Sequence, residues 1–218
     1  MLIKILISIG LLILFFIPSV IWYQSVGNLD IYFDGFILKG QLPYIFSKLL
    51  GLYAITFIIS QVIMTLLAKL NIINPPHFNL IHKIFGSGIV LLSTLHILLF
   101  FLATSSRQEN LAWNLLALDF SSFYTTNISL GVFGMTSLLV VSITGILGIK
   151  NKDSLVEKIH NLYWIPVCLI YIHALSIGTE FNTKTGFFLY ALLGIVAISL
   201  KIVVIVGKFN VEFSCRQR

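Results

Sequence analysis

Hydrophobic residues along this chain fall into six blocks of about 20 residues, separated by connections that are richer in polar residues. An α-helix of about 20 apolar residues is long enough to cross the hydrocarbon core of a bilayer. We therefore expect an all-α fold: an integral membrane bundle of six transmembrane helices, forming a single domain over residues 1–218, with the first helix retained rather than cleaved as a signal. The predicted helices are Ile5–Tyr23, Leu49–Ala68, Ile84–Thr104, Ile128–Ile149, Ile159–Gly178 and Thr185–Val206.

The composition excludes an ordinary soluble domain. Hydrophobic residues make up 58% of the 218 residues and charged residues only 10%, whereas a soluble domain carries about 25% charged residues. The net charge of +6 is typical of cytoplasmic loops in a membrane protein and does not by itself indicate nucleic-acid binding. The two cysteines, Cys168 and Cys215, are too few and too differently placed to predict a disulfide framework.

The distribution of lysine and arginine predicts the orientation. Cytoplasmic connections carry an excess of these residues, and placing the N-terminus inside puts nine of them on the inner side and four on the outer side. We therefore expect both termini in the cytoplasm. The inner set is Lys4, Lys69, Lys83, Lys150, Lys152, Lys158, Lys208, Arg216 and Arg218, and the outer set is Lys39, Lys48, Arg107 and Lys184.

The connections differ between the two sides. The inner ones, Asn71–Ile81 and Asn151–Lys158, are short, whereas the outer ones, Gln24–Ser47 and Ser105–Asn127, are long and rich in aromatic residues. These aromatic residues are typical of an interfacial belt, or they form a lid over a site near the outer face. Within the second outer connection, Asn110–Phe120 predicts a short amphipathic helix on the membrane surface.

Four of the five histidines lie in only two of the six predicted helices. His82 and His96 stand at positions i and i+14 of the third helix, and His160 and His173 stand at positions i and i+13 of the fifth. At a rise of 1.5 Å per residue, the members of each pair differ in depth by about 20 Å. Because both helices run outwards, we expect His82 level with His160 near the inner face, and His96 level with His173 near the outer face.

Matched histidines on two helices favour metal or haem binding, since ionisable residues at membrane depth are costly and commonly functional. Haem iron accepts an imidazole on each face, so two pairs predict two stacked haems. Zinc fits poorly because its four ligands converge on one point. The alternatives are interhelical hydrogen bonds or a proton relay. His77, after two prolines in an inner loop, is not expected to be a ligand.

Helical geometry places the two histidines of the third helix on one face, but not those of the fifth. The i, i+14 spacing returns His96 to the face of His82, whereas the i, i+13 spacing leaves His173 about 140° from His160. Pro166 lies between the latter two and predicts a kink. Gly86, one turn after His82, would either let a porphyrin approach the backbone or serve helix packing.

At this point the residues resemble a known family. Two histidine pairs on the third and fifth of six helices, and the opening Leu80-Ile81-His82-Lys83-Ile84-Phe85-Gly86 of the third, resemble the ferric reductase-like transmembrane domain, the membrane core of NADPH oxidases and ferric reductases. The segment that starts at His160-Asn161-Leu162-Tyr163-Trp164 is similar to that family's fifth helix. The resemblance covers the whole chain in helix number and order.

The resemblance implies a cytochrome with two b-type haems that carries electrons from a cytoplasmic flavin to an acceptor on the outer face. Carried over residue by residue, it assigns the inner haem and its iron to His82 and His160, and the outer one to His96 and His173. Lys83 on the inside, and Arg107 or Lys184 outside, are candidate partners of haem propionates. These three charges are otherwise explained by ordinary sorting between the two sides of the membrane.

The sequence also departs from that family. Only Gly207–Arg218 follows the sixth predicted helix, and no G-x-G-x-x-G motif opens a strand–helix unit, so no flavin or nicotinamide domain is expected. The chain is also similar to the standalone haem-binding membrane subunit of bacterial methionine sulfoxide reductase systems, although we expect arginine in that subunit where His82 stands. No aromatic residue occupies the midpoint between the paired histidines, where Ile89, Pro166 and Val167 lie.

We therefore expect an electron-transfer component of oxidoreductase chemistry, multi-pass in the bacterial inner (plasma) membrane. Its expected partners are the lipid bilayer, a separate cytoplasmic flavoprotein reductase and an outer acceptor, either a small molecule or a protein, with no role for nucleic acid. Flavin is expected only through a partner or loosely bound. The alternatives are a transporter or proton conductor with a histidine relay, and a structural subunit of a larger membrane complex.

Overall fold

The computed structural model describes residues 16–33, 38–72, 75–151 and 154–216, and every regular element within these ranges is helical. Residues 16–26 are helical and are named α1. The helices that follow are α2 (Gln41–Lys69), α3 (Pro75–Gln108), α4 (Phe123–Asn151), α5 (Ser154–Asn161), α6 (Trp164–Ile177) and α7 (Lys184–Arg216). Single 3₁₀ turns occur at Leu29–Tyr32, Trp113–Leu116 and Thr179–Asn182.

Five stretches of the described residues are long and apolar enough to cross a membrane. They are Gln41–Lys69, Phe78–Gln108, Phe123–Leu147, Leu155–Ile177 and Lys184–Val206. Large apolar side chains such as Leu91, Phe133 and Ile195 are exposed on their outward faces, as expected where lipid rather than water surrounds the helices. The chain is therefore a multi-pass membrane protein, all-helical in the residues that the structure describes. Most of the first predicted helix, Ile5–Tyr23, lies outside the described residues.

Several predicted boundaries were wrong. Helix α2 begins at Gln41, so the last part of the predicted loop Gln24–Ser47 is helical. Helix α3 begins at Pro75, because proline is well tolerated in a first helical turn, and His77 is therefore helical rather than part of a loop. Helix α7 continues beyond Val206 to Arg216. The predicted connections Asn71–Ile81 and Asn151–Lys158 and the predicted tail Gly207–Arg218 are therefore largely helical where the structure describes them.

The surface helix predicted at Asn110–Phe120 is reduced to the 3₁₀ turn Trp113–Leu116. The ring of Trp113 packs against Phe101 at a centroid distance of 5.3 Å. The adjoining loop is fastened to α4 by Ser129, whose hydroxyl both donates to the carbonyl oxygen of Asp119 and accepts from its N–H, each at 2.8 Å. The connection is thus packed against both α3 and α4.

The fifth predicted helix is broken into α5 and α6 at Leu162 and Tyr163. Pro166 lies in the first turn of α6 and has no N–H to donate to the carbonyl oxygen of Leu162. That oxygen instead accepts from the N–H of Ile165 at 2.9 Å, in a tighter turn. Because the helix is interrupted here, the rotation of a residue in α5 relative to one in α6 does not follow the 100° step of a continuous helix.

The helices pack as two antiparallel hairpins. Helix α2 runs antiparallel to α3, α4 runs antiparallel to both α5 and α6, and α7 packs beside α2. At the start of α2, Gly40 has a φ of 74°, and a Cβ there would collide with the carbonyl oxygen of Ala103 in α3, so this close approach requires glycine. We call the end that holds the N-termini of α2, α4 and α7 the His96 end, and the opposite end the His82 end.

A buried hydrophobic cluster joins α1 and α7 to one side of α2. Ile21, Trp22 and Tyr190 pack together with residues of α2. The Trp22 indole donates to the carbonyl oxygen of Ile45 at 2.6 Å, and the Tyr190 hydroxyl lies 2.7 Å from that of Thr56. The opposite side of α2 and the helix α3 face α4 and α6. His96 and His173 line a cavity between them, and the rings of His82 and His160 face each other elsewhere along the same helices.

Candidate functional site

A cavity at the His96 end lies between the two hairpins. Its empty volume, counted together with the space where it opens to the surroundings, is about 1240 Å³. His96 lines it from α3 and His173 lines it from α6, together with Gly51 of α2 and Gly131 of α4. The structure therefore brings His96 and His173 to one cavity, at the shared depth that the sequence predicts.

His96 is held by the backbone of α2. Its Nδ1 lies 2.8 Å from the carbonyl oxygen of Ser47, and the buried Ser47 hydroxyl donates to the carbonyl oxygen of His96 at 3.0 Å. A carbonyl oxygen can only accept, so Nδ1 carries the proton. In a neutral imidazole the other nitrogen, Nε2, then has the free lone pair that a metal requires.

Two further histidines are held in the same way by α4. The Nδ1 of His173 lies 2.6 Å from the carbonyl oxygen of Asn127, and the Nδ1 of His160 lies 2.9 Å from that of Val141. Both imidazoles are therefore fixed as the Nδ1–H tautomer with Nε2 available. A bond from Nδ1–H to a backbone carbonyl is the usual outer support of a metal-ligating histidine.

Each of these three rings packs against a glycine of the neighbouring helix. A Cβ built on Gly131 would lie 2.7 Å from the ring of His173, and one on Gly145 would lie 2.8 Å from that of His160. At Gly51 the corresponding distance to His96 is 3.0 Å. These glycines leave the space that the imidazoles occupy, and sequence reasoning missed all three because they are distant from the histidines along the chain.

At the His82 end, His82 and His160 face each other directly. Their ring centroids are 6.1 Å apart and their planes are inclined by 75°. The Nδ1 of His82 is buried and has no hydrogen-bond partner within the described residues, unlike the other three. The ring of Phe78 lies beside it at a centroid distance of 5.2 Å. The structure thus brings together the second predicted pair, with one member unanchored.

A charged pair that the sequence did not single out lies in the wall of the cavity. The Nζ of Lys48 is 2.5 Å from a carboxylate oxygen of Glu180, with side chains only 16% and 5% exposed. Hydroxyls of Ser25 and Thr179 also donate to this carboxylate, at 3.4 and 3.2 Å. The sequence analysis treated Lys48 only as a charge of an outer loop, because the sequence does not reveal that α2 begins before this residue.

The charges suggested as propionate partners lie elsewhere. Lys83 and Lys184 are exposed, and Arg107 donates to the side chain of Gln41 at 2.7 Å while packing over the ring of Tyr44 at 4.6 Å. None of the three is among the residues that line the cavity. Lys48, which was not suggested as a propionate partner, lines the cavity instead.

Gly86 contacts α2. A Cβ built there would lie 3.5 Å from Nε2 of Gln61, which is an ordinary contact distance. This favours the helix-packing interpretation of Gly86. Across the described ranges, no group of three or more His, Cys, Asp and Glu side chains is arranged to hold a metal ion by itself.

Comparisons with family models, with curated proteins and with solved structures find no match for this chain.

Proposed function

We propose that this chain carries electrons across a membrane through two b-type haems, each held by two histidines. The observation that carries the proposal is the pairing of imidazoles at two depths, with three of the four fixed so that Nε2 is free. His82 and His160 would hold one haem, and His96 and His173 the other.

The donor set at the His82 end fits a metal between two imidazoles. Two rings that bind one ion through nitrogen atoms about 2 Å from it have centroids at most roughly 6 Å apart. The observed separation of His82 and His160 is 6.1 Å. Two donors alone do not complete a zinc site, but His82 and His160 would be sufficient to hold a haem iron.

The His96 end fits a flat, largely apolar group. The cavity is lined mainly by apolar side chains, with His96 and His173 in its walls. Gly51 and Gly131 allow both rings to pack tightly against the neighbouring helices. Lys48 lines the same cavity, where its ammonium is already paired with the carboxylate of Glu180.

A haem bound at each pair supplies one-electron transfer, a chemistry that belongs to the cofactor. The residues of this chain hold and orient it. The carbonyl oxygens of Ser47, Asn127 and Val141 fix the imidazoles and, by accepting from Nδ1–H, make Nε2 more electron-rich. The apolar helices exclude water and so influence the reduction potential.

The hydrogen bonds make a proton relay the weaker candidate. A histidine in a relay accepts a proton on one nitrogen and releases it from the other, so both nitrogens must reach exchangeable partners. In His160 and His173 the Nδ1–H instead points to a backbone carbonyl oxygen, which does not carry protons onward. This arrangement suits a ligand better than a relay.

The direction of electron flow follows from the predicted orientation. With both termini in the cytoplasm, the His82 end is the inner end, and the donor is a cytoplasmic flavoprotein reductase. The His96 end then faces an acceptor on the outer side, as expected for the bacterial plasma membrane. This assignment rests on the distribution of lysine and arginine.

The test is the haem content of the purified protein. The chain, expressed with haem supply and purified in detergent, should show a Soret band, and a pyridine haemochrome assay should give two haems b per chain. Neither should be covalently attached, since no C-x-x-C-H motif is present. The combined variant His82→Ala, His96→Ala, His160→Ala, His173→Ala is the control and should bind none. A wild-type protein without a Soret band would refute the proposal.

A further inference from the structure

The three anchored histidines share one arrangement on the helix that faces them. In each case the accepting carbonyl belongs to residue i and the glycine under the ring is residue i+4: Ser47 and Gly51, Asn127 and Gly131, Val141 and Gly145. In an α-helix the carbonyl of residue i already accepts from the N–H of residue i+4. A side chain at i+4 would crowd the space beside that carbonyl, whereas glycine leaves it open to the imidazole.

The alignment of α2 with α3 identifies the residues of α2 that correspond, for His82, to Ser47 and Gly51 for His96. Because α2 and α3 are antiparallel, the step back along α3 from His96 to His82 corresponds to an equal step forward along α2, which leads from Ser47 to Gln61. The observed contact between Gly86 and Gln61 agrees with this register. The residue that corresponds to Gly51 is then Thr65.

Thr65 breaks the pattern. Its hydroxyl donates to the carbonyl oxygen of Gln61 at 2.8 Å, so this carbonyl is covered by a side chain and already has a second donor. His82 accordingly lacks the backbone anchor of the other three, and its Nδ1 is buried without a partner among the described residues. A buried donor without an acceptor is costly, so an acceptor of another kind is expected nearby.

The side chain of Gln61 can serve as that acceptor. Its Oε1 is also buried and without a partner in the described part of the chain, and its Nε2 lies next to Gly86, one helical turn from His82 on the same face. Rotation of the terminal amide exchanges the positions of Oε1 and Nε2. We infer that Gln61 is the positioning residue of His82, with Oε1 accepting from its Nδ1–H; its effect on a haem rests on the proposed function.

This assignment makes the two haem sites unequal. Three imidazoles are held by rigid helix backbone, whereas His82 is held by a side-chain amide that can be exchanged without disturbing a helix. Hydrogen bonding at Nδ1–H makes the ligand a stronger electron donor, which favours ferric iron and lowers the reduction potential. The haem of His82 and His160 is therefore the one whose potential depends on a single replaceable side chain.

The experiment measures both haem potentials in Gln61 variants of the purified full chain. Gln61→Leu should raise the midpoint potential of the haem held by His82 and His160 and leave the other unchanged, with two haems still bound. Gln61→Glu, a stronger acceptor, should lower the same potential. Gln41→Leu, which removes a glutamine near the start of α2 away from both pairs, is the matched control and should shift neither.

A second-site rescue separates positioning from simple packing. Adding Thr65→Gly to Gln61→Leu uncovers the carbonyl of residue 61, recreates the pattern of the other three sites and should restore the wild-type potential. Thr65→Val, which removes the hydroxyl and keeps the side chain over that carbonyl, should not. Equal potentials in wild type and Gln61→Leu would overturn the inference, as would the lack of rescue by Thr65→Gly. If two haems are still bound in these variants, the proposed function stands.

The role of Gln61 can be tested even if no haem is bound. In haem-free protein labelled with ¹⁵N-histidine in nanodiscs, His82→Gln identifies the His82 resonances. Gln61→Leu should shift the Nδ1 resonance of His82 and leave those of His96, His160 and His173 in place. An unchanged His82 resonance would refute the role of Gln61, whereas the absence of haem would refute only the proposed function.

Discussion

Gly145 lies directly against the imidazole of His160, so that a Cβ at this position would come within 2.8 Å of the ring carbon Cε1. Real Cβ atoms do not approach other atoms this closely, and either the ring or the helix would have to move. The same relation holds between Gly131 and His173. The position of each ring is therefore set from the opposite helix as well as from its own.

Gly131→Ala should disturb the site of His96 and His173 without changing either histidine. The added methyl group would displace the His173 ring and break its 2.6 Å bond to the carbonyl of Asn127. We expect loss of one haem per chain or conversion of that haem to a high-spin, five-coordinate form. Overpacking of this kind typically costs about 1–3 kcal/mol, so the protein should still fold. Optical and electron paramagnetic resonance spectra measure the change.

Gly86→Ala is the matched control for that substitution. It adds the same methyl group to a helical glycine, but the new Cβ would lie 3.5 Å from its nearest neighbour atom, on Gln61, which is an ordinary contact. The spectrum of the haem held by His96 and His173 should stay as in the wild type. A spectrum altered as strongly by Gly86→Ala as by Gly131→Ala would mean that any added bulk between helices perturbs the sites.

The ligand assignment predicts a sharp contrast between two histidines near the start of α3. His82→Ala should remove the haem shared with His160, because the 6.1 Å pairing is lost, and leave the other haem in place. His77→Ala, earlier in the same helix, should leave the spectrum unchanged. Loss of a haem in His77→Ala but not in His82→Ala would show that the ligand on α3 is misassigned. Haem stoichiometry per chain is the measurement.

The ion pair of Lys48 and Glu180 should contribute strongly to stability. Both side chains are largely buried, and removing one partner of a buried pair leaves an uncompensated charge at a cost of about 3 kcal/mol. Glu180→Gln should therefore lower the thermal unfolding midpoint markedly. The double variant Lys48→Met, Glu180→Gln should recover most of the loss, because no charge remains unpaired. A double variant as unstable as Glu180→Gln alone would contradict this account.

The sequence predicted the regular part of the fold because the bilayer imposes a simple length and hydropathy rule. Five of the six predicted segments coincide with helices of the described residues. The rule does not locate helix ends, since a membrane helix can continue into the aqueous phase. Gln41 and Arg216 therefore lie well outside the predicted bounds of α2 and α7.

The candidate site was predicted in part. The equal depths of His82 and His160 followed from their spacing, but the break at Leu162 and Tyr163 was predicted only as a kink caused by Pro166. The supporting residues could not be found from the sequence. Ser47 and Gly131 contribute a carbonyl oxygen and an absent side chain, and neither feature is visible without the register of neighbouring helices.

The last prediction concerns the electron donor. The sequence contains no nucleotide-binding motif, so NADPH alone should not reduce the haems of the purified chain. If the His82 end faces the cytoplasm, a basic region that includes Lys83 and Lys158 lies beside the first haem and attracts an acidic flavoprotein, an effect that weakens with salt.

We expect a flavin reductase with NADPH, supplied on that side of oriented proteoliposomes, to reduce both haems, and an acceptor on the opposite side to reoxidise them. Raising the salt concentration should slow the reduction by the flavoprotein but leave reduction by dithionite unaffected. The combined variant Lys83→Gln, Lys158→Gln should lose this salt dependence, whereas Lys39→Gln, at the opposite end, should keep it. Rapid reduction by NADPH without a flavoprotein would refute the requirement for a partner. Reduction that is equally fast from the opposite side would refute the proposed orientation, because the first haem to receive an electron must lie near the membrane face where the donor binds.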